Sequence, residues 1–229
     1  VTPHPLTTEP VVGIDGCPGG WIAARWADGS ITWSFAPVEG IGDLLPDDGC
    51  VGVDMPIGLL DSGLRECDAL ARRALPGAAS RVFTTPPRPV LDLGADAPNA
   101  EVQTLSRRLT GQGVSRQALH LAPRILALDS ALTARPGLRV VEVHPELSFA
   151  AQAGGVLDRK ATPEGVWQRT ETLRSWLPDV DDLLAARPRR VPVVDALDAL
   201  AALWSAARWR DGASRTLPDG ASTRPFIAI

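Results

Sequence analysis

Three short runs of strand-forming residues end at acids: Val11-Val12-Gly13-Ile14-Asp15, Cys50-Val51-Gly52-Val53-Asp54, and Leu138 to Val143, which carries Glu142 and is followed closely by Glu146. β-branched residues favour strands, and an ion left alone in an interior costs far more than it returns. Each strand-end acid therefore needs a partner. A hard divalent cation such as Mg²⁺ or Mn²⁺ is one, because it takes oxygen ligands and neutralises two or three carboxylates together. The apolar stretch near the C-terminus adds Asp195 and Asp198, three apart and so on one helix face. There the competing reading is local, with Asp195 as a helix cap and Asp198 as a charge favoured near the positive end. Strand-end acids have no such local explanation.

The surrounding pattern predicts a three-stranded antiparallel meander from Val11 to Phe35, with Asp28-Gly29 as its second turn. A short helix is expected near 38–45, helices over Leu64–Leu75 and Gln117–Leu132, and a Pro-rich break at 86–98 between those two. Thr162 caps an expected helix running to Trp176 with Pro163 at its first position, and Val193–Trp209 is apolar on nearly every face. The tail from Asp211 to Arg224 reads as loop, and Phe226 to Ile229 as a short returning strand. With 229 residues, 45% of them hydrophobic, the chain can bury one large core or two small ones. We expect one α/β domain over 11–229, with a mostly helical insertion at about 61–136 and an N-terminal arm at 1–10.

Charge is uneven along the chain. Residues 1–64 hold nine acids and one base, residues 65–139 eleven bases and six acids, and the remainder is nearly balanced, for a net charge of −4. No global basic field of the kind common in nucleic-acid binders is present. No apolar stretch approaches the roughly 20 residues that a membrane span requires. VTPHPLTTEP has neither a basic start nor an apolar run, so a secretory signal is not expected there. Three cysteines without CxxC spacing argue against a disulfide framework and a zinc ribbon, and point to a reducing, cytoplasmic setting. The sequence also lacks a GxSxG elbow, a GxxxxGK[ST] loop and an HExxH helix. Carboxylates that hold metal ions can run phosphodiester cleavage without any of these.

The ordered set GIDGCPGGWIAA (13–24), VGVDMPIGLL (51–60), RECDALARRAL (65–75), RVFTTPPR (81–88), GQGVSRQA (111–118), VVEVHPELSFA (140–150), KATPEG (160–165) with Arg169, and DALDALAALWSA (195–206) resembles the DUF429 family. These are proteins of unknown function, usually described as predicted nucleases with a ribonuclease H-like fold. The resemblance implies a mixed sheet of three antiparallel strands followed by parallel strands, with helices on both faces. It makes Asp15 the first-strand acid, Asp54 the acid ending the fourth strand, and Asp195 or Asp198 the acid of the final helix. It also marks Arg65, Arg72 and Arg88 as basic positions, and Ser115, Gln117 and Lys160 as candidate substrate contacts. If the helix over 64–75 holds, Arg65 and Arg72 share a face and meet phosphate; the competing view makes these arginines structural partners of acids such as Asp68.

The leading expectation is a metal-dependent phosphodiesterase acting on nucleic acid or a nucleotide. Asp15, Asp54 and Asp198 would be its ligands, Asp195 a further one, and Glu142 or Glu146 a supporting acid. An actin-like phosphotransferase is disfavoured by length, since such enzymes pair two domains of this kind. A non-catalytic module, whose acids hold a structural cation and whose arginines bind an anion, is the third reading. Cys17 is expected to pack rather than react, and His144 to make an ordinary hydrogen bond or bind metal. No motif encodes the oligomeric state, a homodimer being one option.

Overall fold

The computed structural model describes residues 9–94 and 96–229, so most of the arm expected at 1–10 lies outside the described residues. Strands β1 (Val11–Cys17), β2 (Gly20–Ala27) and β3 (Ser30–Pro37) form the expected meander. Asp28 and Gly29 both take positive φ, 51° and 80°, which is the backbone that a tight two-residue hairpin demands. A 3-10 helix (Val38–Leu44) leads to β4 (Cys50–Val53). Then follow α1 (Glu66–Ala74), α2 (Arg88–Asp92), α3 (Asn99–Thr110) and α4 (Arg116–Ala134), the last returning the chain to β5 (Arg139–Val143). Beyond it come α5 (Pro145–Ala153), α6 (Pro163–Arg174), α7 (Val180–Ala186), α8 (Val193–Arg210) and two short strands, β6 (Thr216–Leu217) and β7 (Ile227–Ala228).

All seven strands join one sheet in the order β3-β2-β1-β4-β5-β7-β6. The pairs β1/β4, β4/β5 and β5/β7 are parallel, while β6 runs antiparallel to β7. This is the antiparallel-then-parallel arrangement of a ribonuclease H-like fold, with helices on both faces.

Strand side chains alternate, so each face has its own partner. Val12, Ile14, Val51 and Val53 point to the side covered by Ala122, Ile125 and Leu128 of α4. Val11 and Cys50 point to the other, beneath Ala199, Leu203 and Ala206 of α8. Gly13 and Gly52 share that second face, and a Cβ at either would stand 2.1 Å from the Ala199 carbonyl oxygen or 2.6 Å from that of Ala202. The missing side chains let α8 lie directly on the backbone of β1 and β4. Its outer side is covered by α5, α6 and α7, which explains why it is apolar all round.

Three expectations need correction. The Pro-rich stretch at 86–98, expected as a break, contains the short helix α2, with Pro89 in its first turn where a missing N–H costs nothing. Arg65 lies before α1, in extended backbone with φ −71° and ψ 126°, so the shared helical face argued for Arg65 and Arg72 does not exist. The tail at 211–224 is not all loop, because Thr216–Leu217 pairs with β7. No helix among the described residues is long and apolar enough to cross a membrane.

Candidate metal centre and its cleft

Parallel pairing in register sets the first two acids side by side. Ile14 stands opposite Val53, and the Asp54 N–H donates to the Ile14 carbonyl at 2.9 Å, so the ladder continues one step to Asp15 and Asp54. Both acids sit two residues beyond the glycines that admit α8, on the same face. The helix therefore delivers Asp198 to them. One carboxylate oxygen from each of Asp15, Asp54 and Asp198 lies within 4.8 Å of the other two. Asp15 Oδ1 also accepts the Gly16 N–H at 2.7 Å, and Lys160 Nζ donates to Asp198 Oδ2 at 2.5 Å. Asp198 Oδ1 is buried with no hydrogen-bond partner among the described residues. Lys160 is the single lysine of the chain.

Burial and mutual repulsion raise these carboxyls. Asp15 is held well above the ordinary carboxylate range by burial, then by Asp54 and Asp198. Asp54 is pushed up to about 7 by burial and by Asp198. Burial likewise raises Asp198, against the pull of Lys160, and takes the half-buried Asp195 to about 6. One ammonium is too little positive charge for this set. All donors are carboxylate oxygens, one of them orphaned, and that combination suits a hard divalent cation. The cap reading for Asp195 is not realised: the N-cap of α8 is Pro192, with no side-chain cap, and Asp195 borders the same cleft.

The cleft has a volume of about 710 Å³. Glu142 and Glu146 border it too, yet both are already compensated. Arg65 Nη2 reaches Glu142 at 2.6 Å and the Ile57 N–H adds a bond at 2.7 Å. Burial raises Glu142 to about 7, and Arg65 opposes that rise. Glu146 is gripped by Arg81 and Arg169, each at 2.6 Å. Arg65 is 2% exposed, also within 3.2 Å of Asp68, and acts as the structural partner weighed for it above. Cys17 is buried, with its thiol pushed up to about 11 by burial. His144 borders the cleft, its imidazole lowered by burial and its buried Nδ1 without a hydrogen-bond partner among the described residues.

The remaining candidates separate. Lys160 is in the cluster, while Gln117 borders the cleft and a smaller cavity beside it. Ser115 caps α4, accepting the Ala118 N–H at 3.2 Å, and borders only the smaller cavity, as does Arg72, whose Nη1 donates to the Val82 carbonyl at 2.5 Å. Arg88 pairs with Asp129 and borders neither space. Sequence reasoning passed over Arg124, which donates to the carbonyls of Cys17 at 2.7 Å and Gly20 at 3.3 Å at the cleft wall. The signal was present, since Gln117, Leu121 and Arg124 follow an i, i+4, i+7 stripe on α4 and all border the cleft.

A sequence model described as a protein of unknown function (DUF429) matches residues 13–223. No curated protein and no solved structure matches the chain.

Proposed function

Since the chain belongs to the DUF429 family, whose function is unknown, we propose from the site that it is a metal-dependent hydrolase cleaving phosphodiester bonds of nucleic acid. The observation that carries this reading is the meeting of Asp15, Asp54 and Asp198 within 4.8 Å at the end of two parallel strands. These three would hold Mg²⁺ or Mn²⁺, with Asp195 beside them at the cleft. When bound, such ions supply an activated water and charge stabilisation at the leaving oxygen.

The chain's own residues prepare that chemistry. Lys160 holds Asp198 by one oxygen and leaves the other free to coordinate. The Gly16 N–H fixes the rotamer of Asp15. Arg124, anchored on two backbone carbonyls, places a guanidinium at the wall where a phosphate would approach. Arg65, Arg81 and Arg169 neutralise Glu142 and Glu146, so that the uncompensated negative charge is confined to the aspartates.

The test is cleavage of single-stranded DNA, duplex DNA, RNA, structured RNA and RNA–DNA hybrid with Mg²⁺ or Mn²⁺. Folded Asp15→Asn and Asp54→Asn variants are expected to lose more than the roughly 100-fold that an outer-shell partner of a metal can cost. Turnover that survives in both variants, or that needs no divalent cation, would refute the assignment. Absence of turnover on every substrate would transfer the site to the non-catalytic binding reading.

A further inference from the structure

Beside the carboxylate cleft lies a second cavity of about 260 Å³, built entirely from residues 64–117. The two spaces share walls, because Ser80, Val82, Phe83, Thr85 and Gln117 border both. Their chemistry differs. The cleft is lined by the aspartates, whereas none of the described residues bordering the second cavity is acidic. Thr110, Ser115 and Arg72 border the second cavity with side chains already bonded to neighbouring backbone, which leaves the Thr84 hydroxyl and the amides of Gln112 and Gln117 to meet a ligand. Leu64, Phe83 and Val114 supply apolar surface.

Local hydrogen bonds give its walls their shape. Ser106 Oγ donates to the Gln112 carbonyl at 2.8 Å, and Thr110 Oγ1 accepts the Gln112 N–H at 3.0 Å. Gln103 pins the same turn from the other side, with Nε2 on the Val114 carbonyl at 2.9 Å and Oε1 accepting the Val114 N–H at 3.2 Å. The bond from Arg72 to the Val82 carbonyl fastens the opposite wall. A small, shaped space with apolar faces and a few directed polar groups is the form of a ligand site.

We propose that this cavity is a subsite for one unpaired nucleoside unit of a single strand or strand end, whose phosphodiester lies in the adjoining cleft; this rests on the hydrolysis reading above. A nucleobase has two apolar faces and an uncharged edge of donors and acceptors, the two kinds of surface that this lining provides. A phosphate would leave the apolar surface of Leu64, Phe83 and Val114 unused, and Arg72 already bonds the Val82 carbonyl; a purely apolar ligand would desolvate the Gln112 and Gln117 amides without pairing them. The volume lies just below the usual range of about 300–1,000 Å³ for small-molecule pockets, so it admits one unit and excludes a base pair. A base inside a duplex must first unpair and unstack to enter, and unpaired substrates are favoured accordingly.

The experiment has two readouts on the intact chain. In the first, adenosine, guanosine, cytidine and uridine are titrated without divalent metal and followed by saturation-transfer NMR. Gln117→Trp, at an exposed α4 position between the two spaces, is expected to weaken binding by about tenfold or more. Thr84→Val, nearly isosteric, is expected to weaken it by about fivefold, the loss of one hydrogen bond. In the second, cleavage of single-stranded and duplex substrates is compared, with wild type expected to favour the unpaired ones and Gln117→Trp to lose that preference. No nucleoside binding at about 1 mM, or equal binding by all three proteins, would overturn the subsite. Cleavage that is indifferent to pairing and to Gln117→Trp would overturn it too, while leaving the hydrolysis reading intact. Nucleoside binding lost in both variants, with no cleavage of any nucleic acid, would support the cavity as a nucleoside site and remove hydrolysis instead.

Discussion

Asp54 and Glu146 border one cleft, and their surroundings predict opposite responses to removal of charge. Asp54 sits among acids and is raised to about 7 by burial and by Asp198, while Asp195 is raised to about 6. An acid whose folded pKa exceeds its unfolded value, near 4, keeps a proton in the fold that the unfolded chain has released. That stability is fully present at low pH and declines as pH rises from about 4 to about 7. Metal-free protein is therefore expected to unfold at lower temperature at pH 8 than at pH 5. Asp54→Asn should stabilise it at pH 8 by about 1–2 kcal/mol, or roughly 2–8 °C for a chain of this size. Adding Mn²⁺ should rescue wild type far more than the variant. Glu146 is the reverse case, its two oxygens each 2.6 Å from a guanidinium. Glu146→Gln should cost about 3 kcal/mol or more, because it leaves buried arginine charge uncompensated. Thermal denaturation of both variants across pH 5–8 checks the pair, and a destabilising Asp54→Asn would mean that Lys160 already satisfies the cluster without a metal.

The cluster exists because two strands and one helix approach closely, and glycine permits the approach. Gly13→Ala would place a Cβ 2.1 Å from the backbone of α8, and no rotamer relieves a clash with backbone. It is expected to destabilise by about 3 kcal/mol. In whatever population stays folded, divalent-metal affinity should fall, because α8 carries Asp198 away from β1. Calorimetric unfolding and metal titration of Gly13→Ala report the two effects separately, and wild-type metal affinity would show that α8 does not set the site. The meander, the strand-end acids, Thr162 as an N-cap and α8 were legible because each writes a local pattern: alternation, a cap residue, or an uninterrupted apolar face. The glycine seats were equally visible as Gly13 and Gly52, but their purpose depends on helix residues about 190 and about 150 positions away in sequence, which no local window contains. β6 was missed because two residues carry no period, and Arg65 was misplaced by a helix that starts just after it, within the usual uncertainty of a helix end. That Glu142 and Glu146 would be claimed by arginines, while Asp54 stands among aspartates with only Lys160 to oppose them, is a matter of tertiary pairing and has no signature in the order of residues.

At the scale of the molecule, the candidate metal centre and the proposed nucleoside cavity stand on ground of unequal stability. Twelve of the eighteen residues of α8 are buried, and β1 and β4 are buried almost throughout. By contrast α3, whose C-terminal end helps form the second cavity, buries only Val102 and Ser106 among its twelve residues. Local opening should follow that difference, since segments with few buried apolar contacts open without unfolding the rest. Native-state hydrogen exchange is expected to find the slowest amides in β1, β4 and α8, exchanging only through global unfolding. Amides of α3 and of the turn at 110–115 should exchange at least about tenfold faster through opening of their own, because each 1.4 kcal/mol less protection is a factor of ten. A ligand in the second cavity stabilises only the closed form of that wall, so nucleoside should slow exchange in α3 and leave α8 unchanged. A divalent cation should do the converse, protecting the N-terminal turns of α8 around Asp198. If α3 exchanged as slowly as α8 before any ligand was added, the insertion and the sheet would be one cooperative unit, and the cavity wall would be as rigid as the metal centre it adjoins.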